Sequence, residues 1–188
     1  MMMGNKVCRI RISPGFYLQC ALLFLLLPVQ WVLALGVSAA VHELGHAAAL
    51  RLLRVPINAI CFCPSGVILG TPPIETGKEM FCAVTGPACG LCLVLLYRWF
   101  PELALFALFH SVYNLLPMYP ADGGRIFAGL CKWILPPGVE EKAARAVGAG
   151  TAFLLVCAGL YGTLFAKLGL FPAALGMGLG IRALKKQK

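Results

Sequence analysis

The stretch His42-Glu43-Leu44-Gly45-His46 lies within an apolar run from Trp31 to Leu53. A helix turns once every 3.6 residues, so imidazoles four residues apart share one face and can bind a single Zn²⁺. A glutamate between two such histidines is typical of the general base of a zinc hydrolase. The motif therefore predicts a zinc site, and its apolar surroundings predict that the site lies in a membrane helix.

The composition also indicates a membrane protein. Of the 188 residues, 60% are hydrophobic and only 12% are charged, whereas about 25% of a soluble domain is charged. Several apolar runs approach the roughly 20 residues that cross a bilayer as a helix. We expect an all-α polytopic membrane protein that forms a single domain over residues 1–188.

Six spans and one irregular segment are predicted. Ile57–Gly77 is rich in β-branched residues, glycine and proline, which favours a short re-entrant β-hairpin lying against the zinc site. Met1–Ser13 fits a short interfacial strand or helix, and Arg125–Leu135 a short amphipathic helix. The expected spans are residues 15–29, 31–53, 79–100, 102–118, 146–164 and 168–183.

The net charge of +9 indicates orientation in the membrane and not nucleic-acid binding. With both termini in the cytoplasm, every Lys and Arg except Arg98 and Lys167 lies on the cytoplasmic side, as the positive-inside rule requires. The nine cysteines are expected to be small buried hydrophobic residues. Cys61-Phe62-Cys63 has no second pair at zinc-finger spacing, so no structural zinc is expected there.

A catalytic zinc needs a third protein ligand, and the chain offers few. Asp122 is the single aspartate, and Pro120 and Gly123-Gly124 around it can turn the chain toward a partner. The alternative is that Asp122 only caps a helix beginning near Gly124. His110, the third histidine, pairs with Asn114 at i, i+4 and either assists substrate or water, or forms a hydrogen bond between helices.

Two motifs carry a resemblance to a known family. HELGH (residues 42–46) in a membrane helix, followed by NLLPMYPADGGR (residues 114–125), resembles the site-2 protease family of intramembrane zinc metalloproteases, in particular the sporulation factor IVB type. Lys78–Phe81, leading to Thr85-Gly86-Pro87, is similar to the third span of that family. The resemblance covers most of the chain.

The resemblance implies seven site residues and one zinc ion per chain. The zinc ligands would be His42, His46 and Asp122. The catalytic residue that activates water would be Glu43. The substrate-binding residues would be Asn114, Pro117 and Gly66.

The chain departs from the family pattern at several points. Ser65 stands where the family often has a glycine, and Gly90 where it commonly has asparagine. Relatives of the sporulation type often carry a C-terminal cystathionine-β-synthase-like (CBS) domain. Because the sequence ends at Lys188, we expect no such domain here.

The function implied is that of a zinc metalloendopeptidase, a hydrolase that cleaves a membrane-associated protein within or near the cytoplasmic leaflet. The sporulation resemblance implies a pro-sigma factor as substrate, and hence regulated intramembrane proteolysis. The expected location is the bacterial cell membrane, multi-pass, with both termini cytoplasmic. The expected partners are a membrane-tethered or membrane-associated protein substrate, the lipid bilayer and inhibitory membrane proteins, with no nucleic acid.

Two other classes of function compete with the protease. A non-proteolytic, zinc-containing membrane binding or scaffold protein would not need Glu43, so its presence counts against that alternative. A metal transporter would need further ionisable residues along a path, and only His110 remains within the spans.

Overall fold

The computed structural model describes residues 8–64 and 66–164. The chain divides into two compact units. The first consists of the described residues of Met1–Val112 and the second of those of Tyr113–Lys188. The described part is mostly helical. Its α-helices are α1 Pro14–Leu26, α2 Val29–Leu52, α3 Thr76–Cys92, α4 Pro101–Asn114, α5 Asp122–Ile134 and α6 Val139–Leu164.

Prolines lie at the beginnings of three of these helices and inside a fourth. Pro14 and Pro101 are the first residues of α1 and α4, where the missing N–H costs no intrahelical hydrogen bond. Pro28 caps α2, so α1 and α2 are separate helices. Pro87 lies inside α3, which is followed by a 3₁₀ turn at Leu93–Leu96.

Three of the described helices are long and apolar enough to cross a membrane. They are Val29–Leu52, Val139–Leu164, and Thr76–Leu96, which includes the 3₁₀ turn. Pro14–Leu26 is apolar but shorter, and α4 has only 14 residues. At about 1.5 Å per residue, 14 residues reach about 21 Å, less than the roughly 30 Å hydrocarbon core. Of the six spans predicted, three thus have the required length, and the one at 168–183 lies outside the described residues.

The first unit also contains a small three-stranded sheet, which extends the predicted hairpin by one strand. The hairpin predicted in Ile57–Gly77 is present: β2 (Ala59–Cys63) pairs antiparallel with β3 (Gly66–Gly70). A third strand, β1 (Arg9–Ile12), pairs parallel with β2. Parallel strands require a long crossover connection, and here α1 and α2 provide it. The alternation of polar and apolar residues in the four-residue strand β1 does not indicate that its partner is β2, which is distant in sequence.

Each unit has a small core of its own. In the first unit Ala49, Leu50 and Cys82 are buried, with Leu69 of β3 packed against them. In the second, Met118, Ala121 and Ala152 are buried together. The largest described apolar side chains are mostly exposed, for example Leu25, Leu95 and Trp99. An outer surface of this kind suits lipid contact, since the bilayer is as apolar as leucine.

Candidate metal centre

His42 and His46 lie on adjacent turns of α2, and both are buried. Their Nε2 atoms are 3.1 Å apart. Two nitrogens that each lie about 2.0–2.1 Å from one tetrahedral ion are about 3.3 Å apart. The pair predicted from the i, i+4 spacing therefore already has the separation that two ligands of one zinc ion need.

A backbone carbonyl of α3 orients one of these ligands. His46 Nδ1 donates a hydrogen bond to the carbonyl oxygen of Cys82, 2.7 Å away. A neutral imidazole that carries its proton on Nδ1 has its lone pair on Nε2, and this is the atom that faces His42. The same carbonyl accepts a hydrogen bond of 2.7 Å from Thr85 Oγ1. Hydrogen bonds of this kind fix the tautomer and the ring orientation of metal-binding histidines.

The close approach of α3 to His46 depends on Gly86. A Cβ at this position would overlap the His46 ring at Nε2 and Cε1. Gly86 is buried and is followed by the buried Pro87. Small residues at helix interfaces let membrane helices approach closely, and here the space left by the absent side chain is filled by the imidazole of a ligand.

Asp122 is held differently, at the beginning of α5 in the second unit. It is the first residue of the helix, and the N-cap is Ala121. Asp122 therefore does not occupy the N-cap position that the capping alternative assigns to it. Asp122 is buried, with 6% of the residue exposed, and its Oδ1 accepts a hydrogen bond of 3.3 Å from the Arg125 guanidinium.

The loop before α5 brings the backbone very close to the helix. A Cβ at Gly123 would overlap the carbonyl of Leu115 and would lie 2.6 Å from the carbonyl oxygen of Leu116. Met118 in this loop is almost fully buried, and the Tyr119–Pro120 peptide bond is cis. Gly123 therefore has no room for a side chain.

The ligand atoms of His42, His46 and Asp122 all lie within 4.8 Å of one another. All three residues are buried, and two imidazoles with one carboxylate form a typical ligand set of a catalytic zinc, which leaves a fourth position for water. The three residues fit one zinc ion.

The other predicted site residues are not part of this three-residue group. Glu43 is half-buried on α2 beside His42. Asn114 is the last residue of α4, and Pro117 follows in the loop before α5, both half-buried. Gly66 begins β3, is exposed, and has a φ of +114°, a conformation that favours glycine.

Some contacts that support the ligands carry no sequence signal. The carbonyl of Cys82 is one of them, because sequence patterns do not identify backbone acceptors, although Thr85-Gly86-Pro87 lies close by in the sequence. The pairing of His110 with Asn114 at i, i+4 was compatible with two roles for this histidine. The His110 ring stacks on that of His42, with 4.6 Å between centroids and 20° between planes.

No family model matches the chain. The chain is 27% identical over 140 residues to the zinc metalloprotease MJ0392 of Methanocaldococcus jannaschii. This alignment covers 67% of the chain and 41% of that protein. The chain thus spans about two fifths of the length of this curated relative.

A solved structure, that of the site-2 protease from Methanocaldococcus jannaschii, has a similar fold. The TM-score is 0.68 at 22% sequence identity, and the match covers 100% of this chain and 93% of the solved one. The narrower resemblance to the sporulation factor IVB type stays a prediction. The chain is therefore similar in sequence to a zinc metalloprotease and similar in fold to a site-2 protease, in line with the resemblance carried by the two motifs.

Proposed function

We propose that the chain is an intramembrane zinc metalloendopeptidase that hydrolyses a peptide bond of a membrane-associated protein. The observation that carries the proposal is the convergence of His42, His46 and Asp122, because two of these ligands lie on a helix apolar and long enough to cross a membrane. Zinc held by these residues would supply Lewis acidity, polarising the scissile carbonyl and lowering the pKa of water.

Glu43 is proposed as the general base. Its carboxylate takes a proton from the attacking water while the water oxygen bonds to the scissile carbonyl carbon. When the C–N bond breaks, Glu43 passes the proton to the leaving amine nitrogen. Its position on α2 beside His42 and its partial burial support this role.

The substrate must present an extended segment, because a transmembrane helix engages its carbonyls in internal hydrogen bonds. In the described residues β3 pairs only with β2, which leaves its other edge to add an extended peptide. Gly66 at the start of β3 is proposed to line this edge. Asn114, through its side-chain amide, and Pro117 are proposed to hold the substrate backbone.

We place the protein in the bacterial cell membrane, as a multi-pass protein of six spans with both termini in the cytoplasm. The distribution of Lys and Arg supports this orientation. Cleavage would then occur within or near the cytoplasmic leaflet. The motif resemblance to the sporulation type supports a pro-sigma factor as the substrate class, and hence regulated intramembrane proteolysis. Inhibitory membrane proteins are proposed as regulators.

The proposal is tested with purified protein in liposomes that also contain a single-span substrate with a glycine- and proline-interrupted membrane segment. Glu43→Gln should bind zinc like the wild type but cleave about 100-fold to 10,000-fold more slowly, because the general base is lost. Glu102→Gln, which changes an exposed glutamate of α4, is the matched control and should cleave normally.

Metal analysis separates the roles of the proposed residues. His46→Ala and Asp122→Ala should lose zinc, and unchanged zinc in the aspartate variant would remove it from the ligand set. Equal cleavage by wild type and Glu43→Gln would refute the proposed base. A wild-type protein that binds zinc but cleaves no substrate would favour the scaffold alternative. Faster cleavage of a pro-sigma fusion than of one with a shuffled pro-sequence would support the substrate class.

A further inference from the structure

His110 is a histidine that the proposed mechanism does not use. It lies on α4, one turn before the helix ends at Asn114, and is half-buried. Ionisable side chains within apolar helices are costly, so their presence calls for a role. The contacts of His110 indicate what that role is.

The first contact is with a proposed metal ligand. The rings of His110 and His42 are 4.6 Å apart at their centroids and only 20° from parallel. Aromatic rings attract one another in offset-stacked pairs at 4.5–7 Å. His42 meets His46 edge-on, with ring planes at 85°. The His42 ring is thus in contact with one imidazole that stacks on its face and with another that lies nearly perpendicular to it.

The second contact comes from the same helix as the ligand. Ser38 precedes His42 by four residues on α2, so both side chains share one face. Ser38 is fully buried, and its Oγ is 3.4 Å from Nδ1 of His110. At this distance the hydrogen bond is long and weak, but it limits rotation of the His110 ring. A serine and a ligand one turn apart on α2 therefore contact the same residue of α4.

From these two contacts we propose that His110 is a positioning residue, which sets the ring plane of His42 for zinc binding. The inference rests on the proposed function, since it assigns to His42 the role of a ligand. His46 is oriented by the hydrogen bond to the Cys82 carbonyl, and His42 is oriented by a ring face. A flat neighbour restricts rotation about the Cβ–Cγ bond of His42, whereas an aliphatic side chain fills the same space without defining a plane.

The test compares a variant with a ring and one without. His110→Phe keeps a flat face, and His110→Leu keeps an apolar side chain suited to a membrane helix. Zinc affinity is measured by chelator competition on the purified protein in detergent, and the geometry of the site by the visible absorption of the Co²⁺-substituted protein. Ser111→Ala is the matched control on α4, because Ser111 is fully buried and its Oγ has no hydrogen-bond partner among the described residues.

We expect His110→Leu to bind zinc about ten-fold more weakly than wild type, the lower end of what is lost when a supporting residue of a metal ligand is removed. His110→Phe should remain within about three-fold of wild type and keep the Co²⁺ spectrum, as should Ser111→Ala. Equal affinity of the Phe and Leu variants, whether both are tight or both are weak, would overturn the proposal. If wild type itself binds no zinc, the proposed function fails, which is a separate outcome.

Discussion

The two halves of the candidate metal centre are built in different ways. His42 and His46 lie one turn apart on a 24-residue helix, so the geometry of the helix itself sets their spacing. Asp122 begins a 13-residue helix after a loop that contains a cis peptide bond and a buried methionine. The orientation of His46 depends in addition on how closely α3 packs against α2. The position of Asp122 depends on how the preceding loop folds against α5.

The largest loss of zinc binding is expected in the histidine half, when Gly86 gains a side chain. We expect Gly86→Ala to weaken zinc binding by about 100-fold or more and to lower the free energy of unfolding by about 1–3 kcal/mol, because the methyl group and the His46 imidazole would overlap. Chelator competition and thermal denaturation in detergent measure the two effects. Gly36→Ala, at a position of α2 with no atom within 4 Å of the added Cβ, is the control and should change neither. Equal behaviour of the two variants would contradict the close packing of α3 on His46.

The aspartate half should show a smaller effect on zinc, because its sensitive glycine does not contact a ligand ring. Gly123→Ala would force the backbone away from Leu115 and Leu116, so we expect about ten-fold weaker zinc binding. The free energy of unfolding should fall by about 1–3 kcal/mol. The control Gly150→Ala, on α6 with open space around the added Cβ, should bind zinc normally. If Gly123→Ala also binds zinc normally, the loop does not determine the position of Asp122.

The smallest effect is expected at Thr85. Thr85→Val removes the hydroxyl that shares the Cys82 carbonyl with His46, but the carbonyl and its hydrogen bond to the imidazole remain. We expect zinc affinity within about three-fold of wild type, measured by the same competition. A loss of ten-fold or more would show that the hydroxyl, and not only the carbonyl, fixes the orientation of His46.

The difference between the halves also explains what the sequence could predict. The histidine pair was predictable because helix periodicity alone places residues 42 and 46 on one face. Asp122 was a candidate as the only aspartate, and the family resemblance implied that it is the third ligand, although its position at the start of α5 depends on loop contacts. The hairpin was indicated by its glycines, prolines and β-branched residues.

The remaining features depend on contacts between distant segments. Pairing of β1 with β2 joins residues about 50 positions apart in sequence, and a four-residue strand carries no signal of its partner. The role of the Cys82 carbonyl as acceptor for His46 cannot be predicted from the sequence, because every residue has a backbone carbonyl. The stack of His110 on His42 required the relative position of α2 and α4, which an i, i+4 pattern within α4 cannot give.

The His46 imidazole occupies the space that a side chain at position 86 would need. During divergence, residue 86 can become larger only after the imidazole has been lost or α3 has moved away. A larger residue at the position of Gly86 in a related chain would then mark a descendant in which either the imidazole at position 46 has been replaced or α3 packs farther from α2. If α3 keeps its place, a glycine at this position is a condition for an imidazole at position 46.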